Sequence, residues 1–225
     1  MLRRTRKMLD RLTQEKLLNS YITAVEVAEL INKDKDVIYR KLKKEISDQR
    51  KCGNFTLFYK EDVHNIFKDV AAEHVDKDQA RREVLSLAEA SKIVGRPTST
   101  LRNRTRTGEL LNVARDNITL VTLSSLLQCF TPSYSTRTDK LLSPLVAKHI
   151  EEDSPNVYVY LDKKLKLCFT DQEDELTDNA LYSCYLGNVI NKNVSYVERM
   201  ALLRRFVGDW IQLTIEDYYN ALYAR

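Results

Sequence analysis

The sequence predicts a mainly α fold with small β-hairpins, an α+β arrangement in which two tandem helix-turn-helix-hairpin-helix units precede a C-terminal α+β domain. Three observations predict it. The chain aligns with itself without a gap at an offset of 63, pairing residues 22–67 with residues 85–130. Within each copy the apolar residues recur twice at helical spacing, become β-like through a short stretch, and return to helical spacing. A Thr/Ser/Pro stretch from Thr131 to Asp139 then marks a change of composition. The identical pairs are Glu26 and Glu89, Asn54 and Asn117, Thr56 and Thr119, Leu57 and Leu120, and Phe67 and Phe130, so chemical pattern rather than identity carries the repeat.

Each copy opens on a capping box, Thr23-Ala24-Val25-Glu26 and Ser86-Leu87-Ala88-Glu89. A hydroxyl and a carboxylate three residues apart satisfy backbone N–H groups that a helix start leaves unpaired. A short apolar helical face follows, with Val27, Ala28, Leu30 and Ile31 matching Ala90, Ser91, Ile93 and Val94. Asn32-Lys33-Asp34 and Gly95-Arg96-Pro97 then break the helix, because Asn and Gly tolerate a left-handed residue and Pro favours a helix start. The second helix begins at once. Its expected buried side is Val37, Ile38 and Leu42 in the first copy and Thr100, Leu101 and Thr105 in the second.

Gly53-Asn54 and Asp116-Asn117 sit where a tight hairpin needs residues that accept positive φ, ahead of the β-rich Phe55–Tyr59 and Ile118–Thr122. A third amphipathic helix closes each copy through Val63, Ile66 and Phe67, or through Leu126, Leu127 and Phe130. Between the copies, residues 69–84 contain no Gly or Pro and predict a semi-rigid helical linker. The expected domains are thus 21–68 and 85–131, joined by that linker, with 132–140 leading to a last domain over 141–225. The N-terminal Arg3, Arg4, Arg6 and Lys7 read either as a basic arm or as the polar face of a first helix carrying Met8, Leu9, Leu12, Leu17 and Leu18.

The last domain is expected to hold a hairpin, since Val157–Leu161 and Leu165–Phe169 flank Asp162-Lys163-Lys164. An acidic stretch follows (Asp171, Glu173, Asp174, Glu175, Asp178), then two or three helices ending in Trp210, Tyr218, Tyr219 and Tyr223. Ile190-Asn191-Lys192 echoes Ile31-Asn32-Lys33, and "TIEDYYNAL" echoes "YKEDVHNIF", so a degenerate third copy is one expectation. The preferred one is a domain for a protein partner or for self-association, because aromatic residues are enriched at interfaces.

Composition narrows the function. Hydrophobic residues make up 43% of the chain and charged residues 30%, as in a folded, cored protein. No apolar run reaches the roughly 18 to 20 residues that span a bilayer, and the N-terminus lacks the apolar core of a secretory signal. No membrane role is expected, and the location should be cytoplasmic, nucleoid-associated in a prokaryote. Cys52, Cys129, Cys168 and Cys184 form no closely spaced pair and read as buried free thiols, with no metal and no cofactor implied. His64, His74 and His149 are scattered and none lies beside a nucleophile, so no catalytic residue is proposed and the protein is expected not to be an enzyme. Charge is uneven: residues 1–140 carry 27 Lys and Arg against 19 Asp and Glu, whereas residues 141–225 carry 9 against 13. A polyanion-binding front and an acidic rear fit those signs.

The second copy, "LSLAEASKIVGRPTSTLRNRTRTGEL", resembles the winged helix-turn-helix of the excisionase and MerR-type DNA-binding group, and the first, "ITAVEVAELINKDKDVIYRKLKKE", resembles it nearly as well. The resemblance covers the paired stretches of both copies. It implies that the second helix of each copy enters the major groove of double-stranded DNA while the hairpin wing approaches the backbone or minor groove. It also implies a role in transcription control or as an accessory factor of a mobile element, plasmid or phage. The first copy lacks the Gly108-Glu109-Leu110 that leads from helix to wing in the second, so its wing is expected to be displaced or longer. No sustained heptad follows, so effector sensing through a coiled coil is not implied.

The outward positions of the second helices are Lys35, Asp36, Tyr39, Arg40 and Lys43, and Thr98, Ser99, Arg102, Asn103 and Arg106. Arg pairs bidentately with guanine and Asn with adenine, which makes Arg102 and Asn103 the candidate base readers; the others suit phosphates and register. Wing candidates are Arg50, Lys51 and Asn54 in the first copy and Arg115 and Asn117 in the second. Residues 33–51 hold 8 basic and 4 acidic side chains and residues 96–115 hold 5 and 1, so both copies are locally basic at the same elements. A helical spacer holding both helices on one side of a duplex would let one chain read two major-groove segments about one turn (~34 Å) apart, on an asymmetric site. The alternative is a protein-interaction module in which the same helices dock a partner protein.

Overall fold

The computed structural model describes residues 9–72, 74–115, 118–150 and 155–223. The chain is a mixed α+β protein with, among the described residues, three small antiparallel sheets of three strands each, and it divides into two units, Met1–Cys129 and Phe130–Arg225. Among the described residues, no helix is long and apolar enough to cross a membrane.

The first unit contains the repeat, and each copy starts one helix and one strand before its capping box. In the first copy Asp10 caps α1 (Arg11–Asn19), whose buried Leu17 and Leu18 lead into β1 (Tyr21–Thr23). Then come α2 (Ala24–Leu30), α3 (Lys35–Glu45), β2 (Gln49–Cys52), β3 (Phe55–Tyr59) and α4 (Lys60–Ile66). The second copy repeats the order as α5 (Lys77–Glu83), β4 (Val84–Ser86), α6 (Leu87–Val94), α7 (Thr98–Arg106), β5 (Asn112–Arg115), β6 (Ile118–Thr122) and α8 (Leu123–Phe130). Strand register repeats at the offset of 63: Tyr21 faces Tyr59 and Gln49 faces Phe58, as Val84 faces Thr122 and Asn112 faces Val121. The sheet orders are β1-β3-β2 and β4-β6-β5.

Successive side chains on a strand point to opposite faces, and both faces are used. In the first copy Ile22 and Phe58 point to the copy's own helices, joining Val27, Ile38, Leu42 and Val63 in one core. Tyr21, Leu57 and Tyr59 point the other way and join Leu17, Leu18, Ala80, Val84, Ile118 and Leu120 in a core shared by the two copies. Here α1 packs against β5 and β6 of the second copy. The joint is reciprocal. Leu17 and Ala80, Tyr21 and Val84, Phe55 and Ile118, and Leu57 and Leu120 are equivalent pairs, and all eight belong to the shared cluster. Thr122 Oγ1 donates to Gln14 Oε1 (2.5 Å), and at the equivalent positions Lys77 Nζ lies 5.5 Å from the Tyr59 ring centroid. Arg50 of β2 pairs with Glu89 of the second capping box (3.0 Å), and Arg115 of β5 pairs with Glu26 of the first (2.9 Å).

The second unit runs α9 (Thr136–His149), β7 (Tyr158–Asp162), β8 (Leu167–Thr170), α10 (Asp174–Asn179), β9 (Ala180–Tyr185), α11 (Gly187–Ile190) and α12 (Tyr196–Tyr223), with sheet order β8-β7-β9. Val159 and Leu161 of the central strand, Leu142 and Val146 of α9, and Leu203 and Val207 of α12 are buried.

Several expectations change. The helical linker over 69–84 is absent: residues 67–72 lack helix, Val70 is buried in the first copy's core, and α5 and β4 belong to the second copy. The stretch to Asp139 is not all linker, because Ser135 forms a capping box with Thr138 and starts α9. A degenerate third copy does not fit, since "TIEDYYNAL" lies inside the continuous α12 and, among the described residues, no hairpin follows α11. All four cysteines are free and half-buried rather than buried, and burial pushes each thiol pKa up. Of the N-terminal cluster, Arg3, Arg4, Arg6, Lys7 and Met8 lie outside the described residues; Leu17 and Leu18 sit on α1 as the helical reading expects, while Leu12 is exposed.

Candidate nucleic-acid interface

The exposed second helices owe their placement to local chemistry. Glu26 accepts from the backbone N–H of Thr23 at 2.7 Å while the Thr23 hydroxyl accepts from that of Glu26 at 3.2 Å, and Ser86 and Glu89 do the same at 2.7 and 3.3 Å. Asn32 at φ 50° and Gly95 at φ 58° end α2 and α6 in the left-handed region, where glycine adds no strain and asparagine little. Asp34 accepts from the N–H groups of Asp36 and Val37 and so starts α3; Pro97 stands at the N-cap of α7. The turn is therefore fixed by backbone-level signals, independently of what the second helix displays.

On α3 only Ile38 and Leu42 are buried, leaving Lys35, Asp36, Arg40 and Lys43 exposed. Tyr39 is half-buried: its ring stands edge-on to Phe58 at 6.5 Å, with Lys43 Nζ 5.7 Å from its centroid, so it packs as well as faces out. Arg40 Nε donates to the Asp36 carbonyl at 3.2 Å. Val37, expected on the buried side, is 53% exposed beside Lys35 and Asp36, because the helix turns on Ile38 and Leu42 alone. On α7 only Leu101 is buried, with Thr100 and Thr105 half-buried. Thr98, Ser99, Arg102, Asn103 and Arg106 are all exposed. The side chains of Arg102, Asn103 and Arg106 make no hydrogen bond or ion pair among the described residues.

Lys44 and Arg104 are further exposed cations on these helices that the outward pattern did not include, and Arg104 is held by Glu109. The helix-to-wing passage differs as the sequence suggested, but its consequence does not. Helix α3 runs two residues beyond the end of α7 on the offset of 63, and Gln49 Nε2 caps it by donating to the carbonyls of Lys43 (3.1 Å) and Ile46 (2.6 Å). Ile46 is buried, as Leu110 is in the second copy. The strands then regain common register, so the first hairpin is neither displaced nor longer.

The wing candidates separate. Lys51 and Asn54 are exposed beside the Gly53 turn (φ 61°), and Asn117 lies outside the described residues with Asp116. Arg50 and Arg115 are not wing tips. Their side chains are 19% and 20% exposed and join the copies: Arg50 also donates to the Arg81 carbonyl (3.3 Å), and Arg115 donates to the Tyr21 carbonyl. Burial would raise the Glu89 pKa, but the Arg50 charge and the Ser86 hydrogen bonds outweigh it and hold the carboxyl below its usual value. These two arginines lie at positions 50 and 115, which the offset of 63 does not equate, so the repeat itself gave no sign of their shared task.

Other chemistry is sparse. Among the described residues, no group of three or more His, Cys, Asp or Glu side chains could hold a metal ion. His64 Nδ1 meets the Val70 carbonyl at 2.8 Å, His74 meets Glu61 at 3.1 Å, and His149 meets Asp171 at 3.2 Å. No protein-family model matches the chain, and no curated protein matches it.

Proposed function

We propose that the first unit is a sequence-specific double-stranded DNA-binding element made of two winged helix-turn-helix copies of the excisionase and MerR type, with α3 and α7 as recognition helices. The observation that carries the reading is the exposed polar face of α7, where Arg102, Asn103 and Arg106 are without side-chain partners among the described residues. The equivalent face of α3 adds Lys35, Arg40 and Lys43. Arg102 and Asn103 read bases, at about 1–3 kcal/mol of discrimination for each bidentate pair. Lys35, Lys43, Thr98 and Ser99 hold phosphates, with Lys51 and Asn54 at the first wing.

The shared core, which joins the two copies in one unit, supports the engagement of both helices by one duplex. Each sheet has its own helices on one face and the other copy on the other, so α3 and α7 belong to the outer layers of the unit. The role is regulatory or accessory rather than catalytic, and the second unit, with Val197, Phe206 and Leu213 exposed on α12, serves a protein partner or self-association.

Selection of duplexes from a random pool by the full chain tests the reading. A recurrent sequence should emerge, and Arg102→Ala together with Arg40→Ala should weaken its binding. Failure to enrich any duplex, with capture of a protein through the same helices, would overturn it.

A further inference from the structure

We infer that the DNA site of this chain is bipartite and inverted, with two half-sites of different sequence opposed across a dyad rather than repeated in tandem. This rests on the DNA-binding reading above and specifies what its target looks like. Two units that follow each other along a chain and share a direct sequence repeat would, as beads on a string, meet DNA in the same orientation. The joint between them is built otherwise. Equivalent positions from both copies lie together in the shared core, and the flanking contacts exchange partners: α1 packs on β5 and β6, with Gln14 accepting from Thr122, while α5 reaches β3 more lightly through Lys77 and Tyr59. The wing strand of each copy also holds the capping box of the other, Arg50 with Glu89 and Arg115 with Glu26, although the two arginines stand at non-equivalent positions. A surface that meets its own equivalent implies a two-fold rotation, whereas a head-to-tail relation brings two different patches together.

A two-fold rotation sets α3 and α7 in opposed directions, so a duplex engaging both must offer its halves about an approximate dyad. The frame is symmetric and the readers are not. Position for position, Lys35, Asp36, Tyr39, Arg40 and Lys43 stand where the second copy has Thr98, Ser99, Arg102, Asn103 and Arg106. The two halves therefore oppose each other in direction and differ in sequence, and the bound protein has a fixed polarity on its site.

Selected duplexes test this directly with the unmodified chain. When one half of the selected site is reversed in place, affinity should fall by roughly a hundredfold, because several base contacts are lost together; this shows that both halves are read, and the variant below reads their relative direction. A footprint of one protected segment per chain overturns the inference and leaves duplex binding standing. No enrichment of any duplex removes the DNA-binding reading and the inference with it. A second variant sharpens the result: Lys35→Thr, Asp36→Ser, Arg40→Asn and Lys43→Arg place second-copy residues at exposed first-copy positions, while Tyr39 keeps its packing on Phe58. With an unchanged circular dichroism spectrum, this chain should select a site shifted towards a palindrome of the second-copy half. Selection of two such halves in tandem overturns the inference.

Discussion

The two copies of the first unit match in strand register position for position, yet all five candidate outward positions on α3 differ from those on α7. In the first copy the second helix is lysine-rich, longer, and partly tied down by Tyr39 on Phe58; in the second it is shorter and presents arginines and an asparagine. The difference shows that the frame and the displayed surface are set by separate residues. Capping boxes, left-handed helix ends and alternating strand residues recur because they hold the backbone, and the outward positions are left to vary.

The largest expected effect attacks the frame where the copies meet. Leu57→Ala and its equivalent Leu120→Ala, both buried in the shared core, should each cost about 2–5 kcal/mol in denaturant unfolding. Either substitution should loosen amides in both copies by hydrogen exchange. Loss of protection confined to the mutated copy would show that they fold independently. Next come the displayed surfaces: Arg102→Ala should cost about 1–3 kcal/mol of affinity and relax base preference in its half-site. Lys43→Ala should weaken binding more evenly across sequences, and equal loss of base preference from the two would erase the assigned difference.

Smaller effects follow at the joint. Glu89→Ala removes a capping-box partner and the Arg50 ion pair together and should cost about 1–2 kcal/mol by thermal unfolding. Because the folded Glu89 pKa lies below its ordinary value, its contribution is complete above pH 4.5 and is lost as pH falls through the folded value. Acid titration of wild type and Glu89→Ala should therefore converge in stability at low pH, and a constant difference would contradict the pairing. The smallest contrast is at the helix breaks. Gly95→Ala should cost about 1 kcal/mol, whereas Asn32→Gly should change unfolding by only a few tenths.

Much of this frame is legible in the sequence because its signals are local. The capping boxes, the Asn32 and Gly95 breaks, the hairpins and the hydrophobic residues Ile38, Leu42 and Leu101 are each set by near neighbours, and the offset of 63 survives in the strand pairing. What was hidden depends on the other copy. Strands β1 and β4 are three residues long, too short to show alternation, and α5 was read as linker because its buried Ala80 serves the shared core. Arg50 and Arg115 looked like wing cations because their carboxylate partners lie 39 and 89 residues away along the chain. In the second unit β9 was missed, since Ala180–Tyr185 carries an exposed Leu181 and follows the acidic stretch that forms α10.

If both second helices hold duplex phosphates and bases, as proposed, affinity for a selected duplex depends steeply on salt. Between about 50 and about 200 mM salt, log affinity should fall linearly with log salt, by about 0.9 for each neutralised phosphate. Removing Lys35 and Lys43 should make that slope shallower by about 1–2. An affinity that does not respond to salt, or a slope that the two substitutions leave unchanged, would rule out phosphate contacts by these helices.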